Sequence, residues 1–225
     1  MKTVALFGGS FNPPHDGHFA IGDHIHKTLK TDEVWMMFSI NRLKDPSIYA
    51  SIDHRMNMAR LMARHHPQTP FIMTDIEQQV GTNQTFFVLD ELKKRYPDTR
   101  FIWVMGADNL KGFDEWIRGD DIFRNFSVAI INRPGHDQDA WDSRVLKKFA
   151  GLQRNAPDDF KPGQPGWIFL QDPQVADAAE SSSALLKRLR AGETEFRGHF
   201  NEVAAYIRKH ELYGIKKAGP RPPAP

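Results

Sequence analysis

Two histidines three residues apart, His15 and His18, stand in the run Gly8-Gly9-Ser10-Phe11-Asn12-Pro13-Pro14-His15-Asp16-Gly17-His18. Imidazoles so spaced on either side of a helix start can face one polyphosphate. There they would donate hydrogen bonds where negative charge builds during displacement at phosphorus. The adjacent glycines keep Cβ atoms out of the path of an approaching phosphate. The proline pair stiffens the loop and delays the helix until Asp16, which suits an N-cap. Gly8, Gly9, Ser10 and Phe11 thus form the expected phosphate-binding turn, with backbone N–H groups and the positive end of a helix dipole beside it. The run is neither a Walker A loop, which needs Gly-Lys-Ser/Thr, nor the dinucleotide pattern G-x-G-x-x-G.

Such a turn needs a strand before it and a helix after it. The apolar run Val4-Ala5-Leu6-Phe7 reads as a buried parallel strand. Phe19, Ile21, Ile25 and Leu29 give the following segment an amphipathic helical stripe. Further along, the sequence predicts strands over 33–38, 71–74, 100–105, 127–131 and 167–170, with the first over 3–7. Helices are predicted over 17–30, 52–65, 85–95, 120–124, 141–149, 182–191 and 201–210. This alternation argues for an α/β fold: a Rossmann-like open, mostly parallel sheet with helices on both faces. Ligands bind such sheets beyond the carboxyl ends of the strands, near a topological switch point. Residues 155–166, rich in proline and glycine, read as a surface loop. Residues 1–215 read as one domain, and the proline-rich stretch 216–225 as a disordered tail.

The motif Gly9, Phe11, Pro13, His15, Gly17 and His18 resembles the G-x-F-x-P-x-H-x-G-H signature of the nucleotidylyltransferase superfamily. A second stretch, Trp103-Val104-Met105-Gly106-Ala107-Asp108-Asn109-Leu110 followed by Phe113 and Trp116, resembles the G-x-D-x-L…F…W region of bacterial nicotinate-nucleotide adenylyltransferases. A third, Asn132-Arg133-Pro134-Gly135, is similar to the same family's pattern. The resemblance implies adenylyl transfer from ATP to nicotinic acid mononucleotide, giving deamido-NAD and pyrophosphate. It implies His15 and His18 as catalytic residues. It also implies Gly106, Asp108, Trp116, Arg133 and Thr85 as mononucleotide-binding residues, with Thr85 at the nicotinate carboxyl. Mg2+ would accompany ATP, held by phosphate and water rather than by the protein.

On the residues alone, Asp108 either accepts from ribose hydroxyls or caps a short helix. Trp116 either stacks on a pyridine or is an ordinary core ring. Around Thr85 the pattern departs from the family, with Gln84 for the usual tyrosine and Val88 for the usual threonine. The C-terminal run Ser181-Ser182-Ser183-Ala184-Leu185-Leu186-Lys187-Arg188 resembles the family's I-S-S-T-x-I-R, which sets hydroxyls and an arginine against the triphosphate. Ser182 and Ser183 match, but Leu186 stands at the arginine position, and leucine cannot clamp phosphate by two parallel hydrogen bonds. Lys187 or Arg188, with Lys44 as a second cation, are the candidate substitutes. Nicotinamide mononucleotide or another phosphate acceptor, or a non-catalytic nucleotide-binding role, remain the alternatives.

Composition narrows the field. With 30 basic against 28 acidic residues and a net charge of +2, the chain lacks a polybasic nucleic-acid footprint. There is no cysteine, so neither a disulfide framework nor a thiolate metal site is available. No signal pattern or long apolar run is present, which points away from membranes and toward the cytoplasm.

Overall fold

The computed structural model of the chain describes residues 1–39, 48–132, 142–171 and 181–216. Seven strands form one sheet: β1 (Lys2–Gly9), β2 (Glu33–Phe38), β3 (Phe71–Thr74), β4 (Thr99–Gly106), β5 (Ser127–Asn132), β6 (Gln153–Arg154) and β7 (Gly166–Gln171). Their order is β3-β2-β1-β4-β5-β7-β6, and every neighbouring pair is parallel. The two-residue β6 escapes sequence reading because so short a segment carries no periodicity.

Period-two alternation sorts the core into two layers. Ala5 and Phe7 of β1 join Phe19, Ile21 and Ile25 of helix α1 (Asp16–Leu29) and Met58, Ala59 and Met62 of α2 (Ile52–Ala63). The helices Ser182–Arg190 and Phe200–Lys209 complete that layer through Leu185, Leu189, Val203 and Ile207. Val4 and Leu6 face the other way, with Trp103, Met105, Val128 and Ile130. That face is covered by α4 (Thr85–Arg95) and α5 (Gly119–Asn125), with the short α3 (Ile76–Val80) and a 3-10 stretch, Ala107–Glu115, beside them. The last two elements carry no clear apolar period and are absent from the sequence prediction. The predicted helix over 141–149 is shorter, Arg144–Lys148.

The chain passes from β1 to β2 and β3 on one side, then returns to place β4 on the other. The switch point therefore lies between β1 and β4. The ladder is uneven there. Pairing with β2 continues to Gly9–Phe38, whereas pairing with β4 stops at Phe7–Val104. The tip of β1 thus parts from β4, opening a crevice at the carboxyl edge of the sheet.

Candidate active site

Gly8 and Gly9 complete β1 instead of starting the turn, and their lack of a side chain also serves the protein's own packing. A Cβ on Gly8 would lie 2.5 Å from the Trp103 ring, and one on Gly9 would lie 2.9 Å from the Phe11 ring. The space is kept for the protein's own rings. Phe11, expected in the phosphate-binding turn, is 1% exposed, so its side chain packs and only its backbone can serve a ligand. It holds φ at +43°, an uncommon conformation for a bulky residue that surrounding contacts must enforce. Those contacts are Phe7 at 5.4 Å, Phe38 at 4.9 Å and, edge-on, the His18 imidazole at 5.0 Å. Phe11 is the wedge that seats His18.

The helix begins one residue earlier than expected. His15, not Asp16, is the N-cap, with extended backbone (φ −151°, ψ 168°). The His15 backbone N–H donates to His18 Nδ1 at 3.2 Å, and the two imidazole centroids lie 3.8 Å apart. Because His18 Nδ1 accepts, the proton of the neutral ring belongs on Nε2, a tautomer assigned from the hydrogen-bond network. Asp16, freed from capping, accepts instead from the His199 backbone N–H at 3.1 Å and from His199 Nδ1 at 2.9 Å. Those bonds dock the start of the Phe200–Lys209 helix onto the β1–α1 turn.

Beneath the turn lies a support that sequence reading missed. Arg55 of α2 is 2% exposed. Its guanidinium donates to three backbone carbonyls: Ser10 at 2.6 Å, Ser39 at 3.0 Å and Ala50 at 3.1 Å. Burial lowers its pKa, while the neighbouring Tyr49, Tyr213 and Glu77 push the other way. Asn12 completes the frame, donating to Ile48 O at 2.9 Å while its Oδ1 accepts from Ala50 N at 3.1 Å and Tyr213 OH at 2.9 Å. Burial raises the Tyr213 phenol pKa far above its ordinary value, so it stays a donor. Ser182, expected at the pyrophosphate, donates its hydroxyl to Pro13 O at 2.8 Å and so ties a second helix to the same loop. One signal was available for Arg55: it lies three, four and seven residues before the buried Met58, Ala59 and Met62, a charge on the apolar stripe.

Across the crevice, Gly106 ends β4. A Cβ there would meet Asp108 Oδ1 at 2.2 Å, so the glycine lets this exposed carboxylate fold back over the strand end. Trp116 is half-buried and stacks on Phe113 with centroids 4.9 Å apart. Thr85, the first residue of α4, shares with Trp116 a cavity of about 270 Å3 that Gln84 and Glu115 also line. The structure therefore brings together the two residues expected at the pyridine ring. The start of α4 turns the positive end of its helix dipole toward that cavity.

The expected cation site is altered. Leu186 is 6% exposed and belongs to the core. Arg188, expected on phosphate, is instead held by Glu193 through two hydrogen bonds, one of 2.6 Å, and lies 4.9 Å over the Phe196 ring. Its contacts hold the Glu193 carboxyl below the ordinary carboxylate range. The reason is local: the turn after the helix at Gly192 (φ +89°) returns Glu193 against Arg188. Ser183 is exposed in the first turn of its helix, while Ser181 caps that helix by accepting from Ala184 N at 3.2 Å. Lys44 and Arg133 lie outside the described residues.

The cytidylyltransferase-like family model matches residues 6–188. A protein named probable nicotinate-nucleotide adenylyltransferase from Brucella suis biovar 1 (strain 1330) is 37% identical over 190 residues, covering 82% of this chain and 94% of its own. One of the same name from Cereibacter sphaeroides is 38% identical over 173 residues, covering 77% and 92%. Among solved structures, Plasmodium falciparum nicotinic acid mononucleotide adenylyltransferase complexed with NaAD shares the fold. Its TM-score is 0.71 at 20% identity, covering 97% of this chain and 100% of that one.

Proposed function

We propose that this chain, which belongs to the cytidylyltransferase-like family and within it to the nicotinate-nucleotide adenylyltransferases, joins the adenylyl group of ATP to nicotinic acid mononucleotide. The products are deamido-NAD and pyrophosphate. The observation that carries the reading is the His15–His18 pair at the crevice where the tip of β1 parts from β4, together with the ring-sized cavity that Thr85 and Trp116 share.

A mononucleotide 5′-phosphate oxygen attacks the α-phosphorus of ATP, the bond to the bridging oxygen breaks, and pyrophosphate leaves. The attacking oxygen is already anionic, so no side-chain nucleophile is needed and catalysis is positioning plus charge stabilisation. His18, a donor at Nε2, and His15 bind the phosphate oxygens on which charge builds. Backbone N–H groups of Gly8 and Gly9 at the end of β1 and of Ser10 and Phe11 in the turn, with Ser183 and the first turn of its helix, receive the remaining phosphates. Ser182 keeps Pro13 in place. Thr85 and the start of α4 bind the nicotinate carboxylate, Trp116 stacks on the ring, and Gly106 with Asp108 binds the ribose. Lys44 and Arg133 are retained as candidate cations.

Among the described residues no group of three His, Asp or Glu side chains is arranged to hold a metal ion. Mg2+ is proposed to arrive with the triphosphate, held by phosphate and water. No described helix is long and apolar enough to cross a membrane. A cytoplasmic location, and one domain over residues 1–215, complete the proposal.

Pyrophosphate release tests it, with ATP and Mg2+ offered alongside nicotinic acid mononucleotide or nicotinamide mononucleotide. Preference for the acid is the expected result. Preference for the amide would move the substrate assignment. Silence with both, from folded protein, would favour a non-catalytic nucleotide binder, to which the buried Leu186 and engaged Arg188 would then belong.

A further inference from the structure

A cavity of about 520 Å3 lies at the opposite end of the sheet, where β4 and β5 begin. It is within the size range of small-molecule sites. Seven strand steps at about 3.3 Å put it about 23 Å from Gly106 along β4. Phe101, Phe126 and Phe160 line it, each less than 10% exposed. Lys93, Arg100 and Lys161 supply the charge, and no carboxylate is among the described residues that line it. That is a local departure from a chain whose 30 basic and 28 acidic residues almost cancel.

The walls are held in place without a ligand. Ser127, fully buried at the first position of β5, donates to Gln164 O at 2.7 Å and accepts from Gly163 N at 2.9 Å. These two bonds fix the turn that carries Lys161. Gly163 (φ +85°) also leaves room for the Arg100 stem, which a Cβ would meet at 3.0 Å. Lys93 Nζ reaches over the Phe126 ring at 5.9 Å. The carboxyl ends of α4 and α5 face this end of the sheet, each contributing at most about half a negative charge. Three full positive charges outweigh them.

We propose that this cavity is a second binding site, separate from the nucleotide crevice, for a planar aromatic anion of up to mononucleotide size. The three phenylalanines take the ring and the cationic rim takes a carboxylate, sulfonate or phosphate. Face and edge contacts with the rings suit a flat apolar body, and the absence of lining acids selects against cations.

The probe is 8-anilinonaphthalene-1-sulfonate, compared with its uncharged counterpart N-phenyl-1-naphthylamine, by fluorescence titration of the full chain. Saturable sulfonate binding is expected, undiminished by excess ATP with Mg2+, and at least tenfold tighter than that of the neutral dye. The R100E/K161E variant should weaken it at least tenfold. K93E, on the exposed last turn of α4, gives the same reading if the double variant melts early. Equal binding of both dyes would reduce the site to an apolar crevice and overturn the proposal. Displacement by ATP, or full affinity in the charge-reversal variants, would put the probe elsewhere and overturn it equally.

Discussion

Replacing Arg55 by methionine should cost this protein more stability than almost any other single change of a charged residue. Methionine fills much of the same volume but leaves the carbonyls of Ser10, Ser39 and Ala50 without their 2.6–3.1 Å donors. A hydrogen bond from a charged donor is worth about 1.5–3 kcal/mol, so three sum to roughly 4.5–9 kcal/mol. Removing the guanidinium also removes its desolvation cost, and neighbouring groups relax, which brings the net loss to about 3–5 kcal/mol. In a domain of this size that is a fall in Tm of roughly 6–20 °C. Equilibrium denaturation measures it. Ser10 lies in the phosphate turn, while Ser39 and Ala50 flank the segment carrying Lys44, so the surviving folded enzyme should show a raised KM for ATP. Arg55→Lys, with one short donor group for three carbonyls, should recover only part of both losses. A stability change within about 1 kcal/mol of zero, with KM unmoved, would refute the clamp.

Four other outcomes follow from the same geometry. His18→Ala should lower turnover by about 10²–10³-fold, with the melting curve moved by only a few degrees, in a pyrophosphate-release assay. Gly8→Ala should cost about 1–3 kcal/mol, measured by denaturation, because its Cβ would sit 2.5 Å from the Trp103 ring. Leu186→Arg, which restores the family residue, should lower Tm without raising turnover, since it forces a charge into a position 6% exposed. Asp23 supplies a pH test. Burial pushes its carboxyl up, but the hydrogen bonds from His66 and Thr69 and the charges of His66 and His26 outweigh it, holding the pKa below 3.8. The ionised form therefore stabilises the fold fully above pH 3.8, and that contribution is lost as pH falls through the lower folded value. The stability gap between wild type and Asp23→Asn should close over that interval.

What the sequence disclosed was set by how far apart its determinants lie. The β1–α1 turn is legible because Gly9, Phe11, His15 and His18 fall within ten positions, and strands and helices with a clear period are legible for the same reason. Thr85 and Trp116 could be paired only through resemblance, since nothing local says that α4 and the end of the 3-10 stretch meet around one cavity. One reason for the glycines lay out of reach: what fills the space beside Gly8 is Trp103, 95 positions away and invisible to spacing. The Arg188–Glu193 pair was not legible, because a helical arginine near a phosphate motif looks available until the turn at Gly192 brings Glu193 back to it. Arg55 and Tyr213 were missed altogether, as their partners are mainly backbone groups and one loop asparagine on distant segments.

The Asn12–Tyr213 hydrogen bond spans 201 positions and sets a schedule for the protein in the cell. The histidine turn leaves the ribosome well before one of the groups that braces it. At roughly 5–20 residues per second the motif waits about 10–40 s for that brace. During that interval β1 and α1 can form, but the turn between them lacks Tyr213, Ser182 and His199 alike. A polypeptide stopped short of residue 213 would still display the histidine motif while lacking the framework that makes it a site. The fully braced turn thus marks the passage of synthesis beyond residue 213.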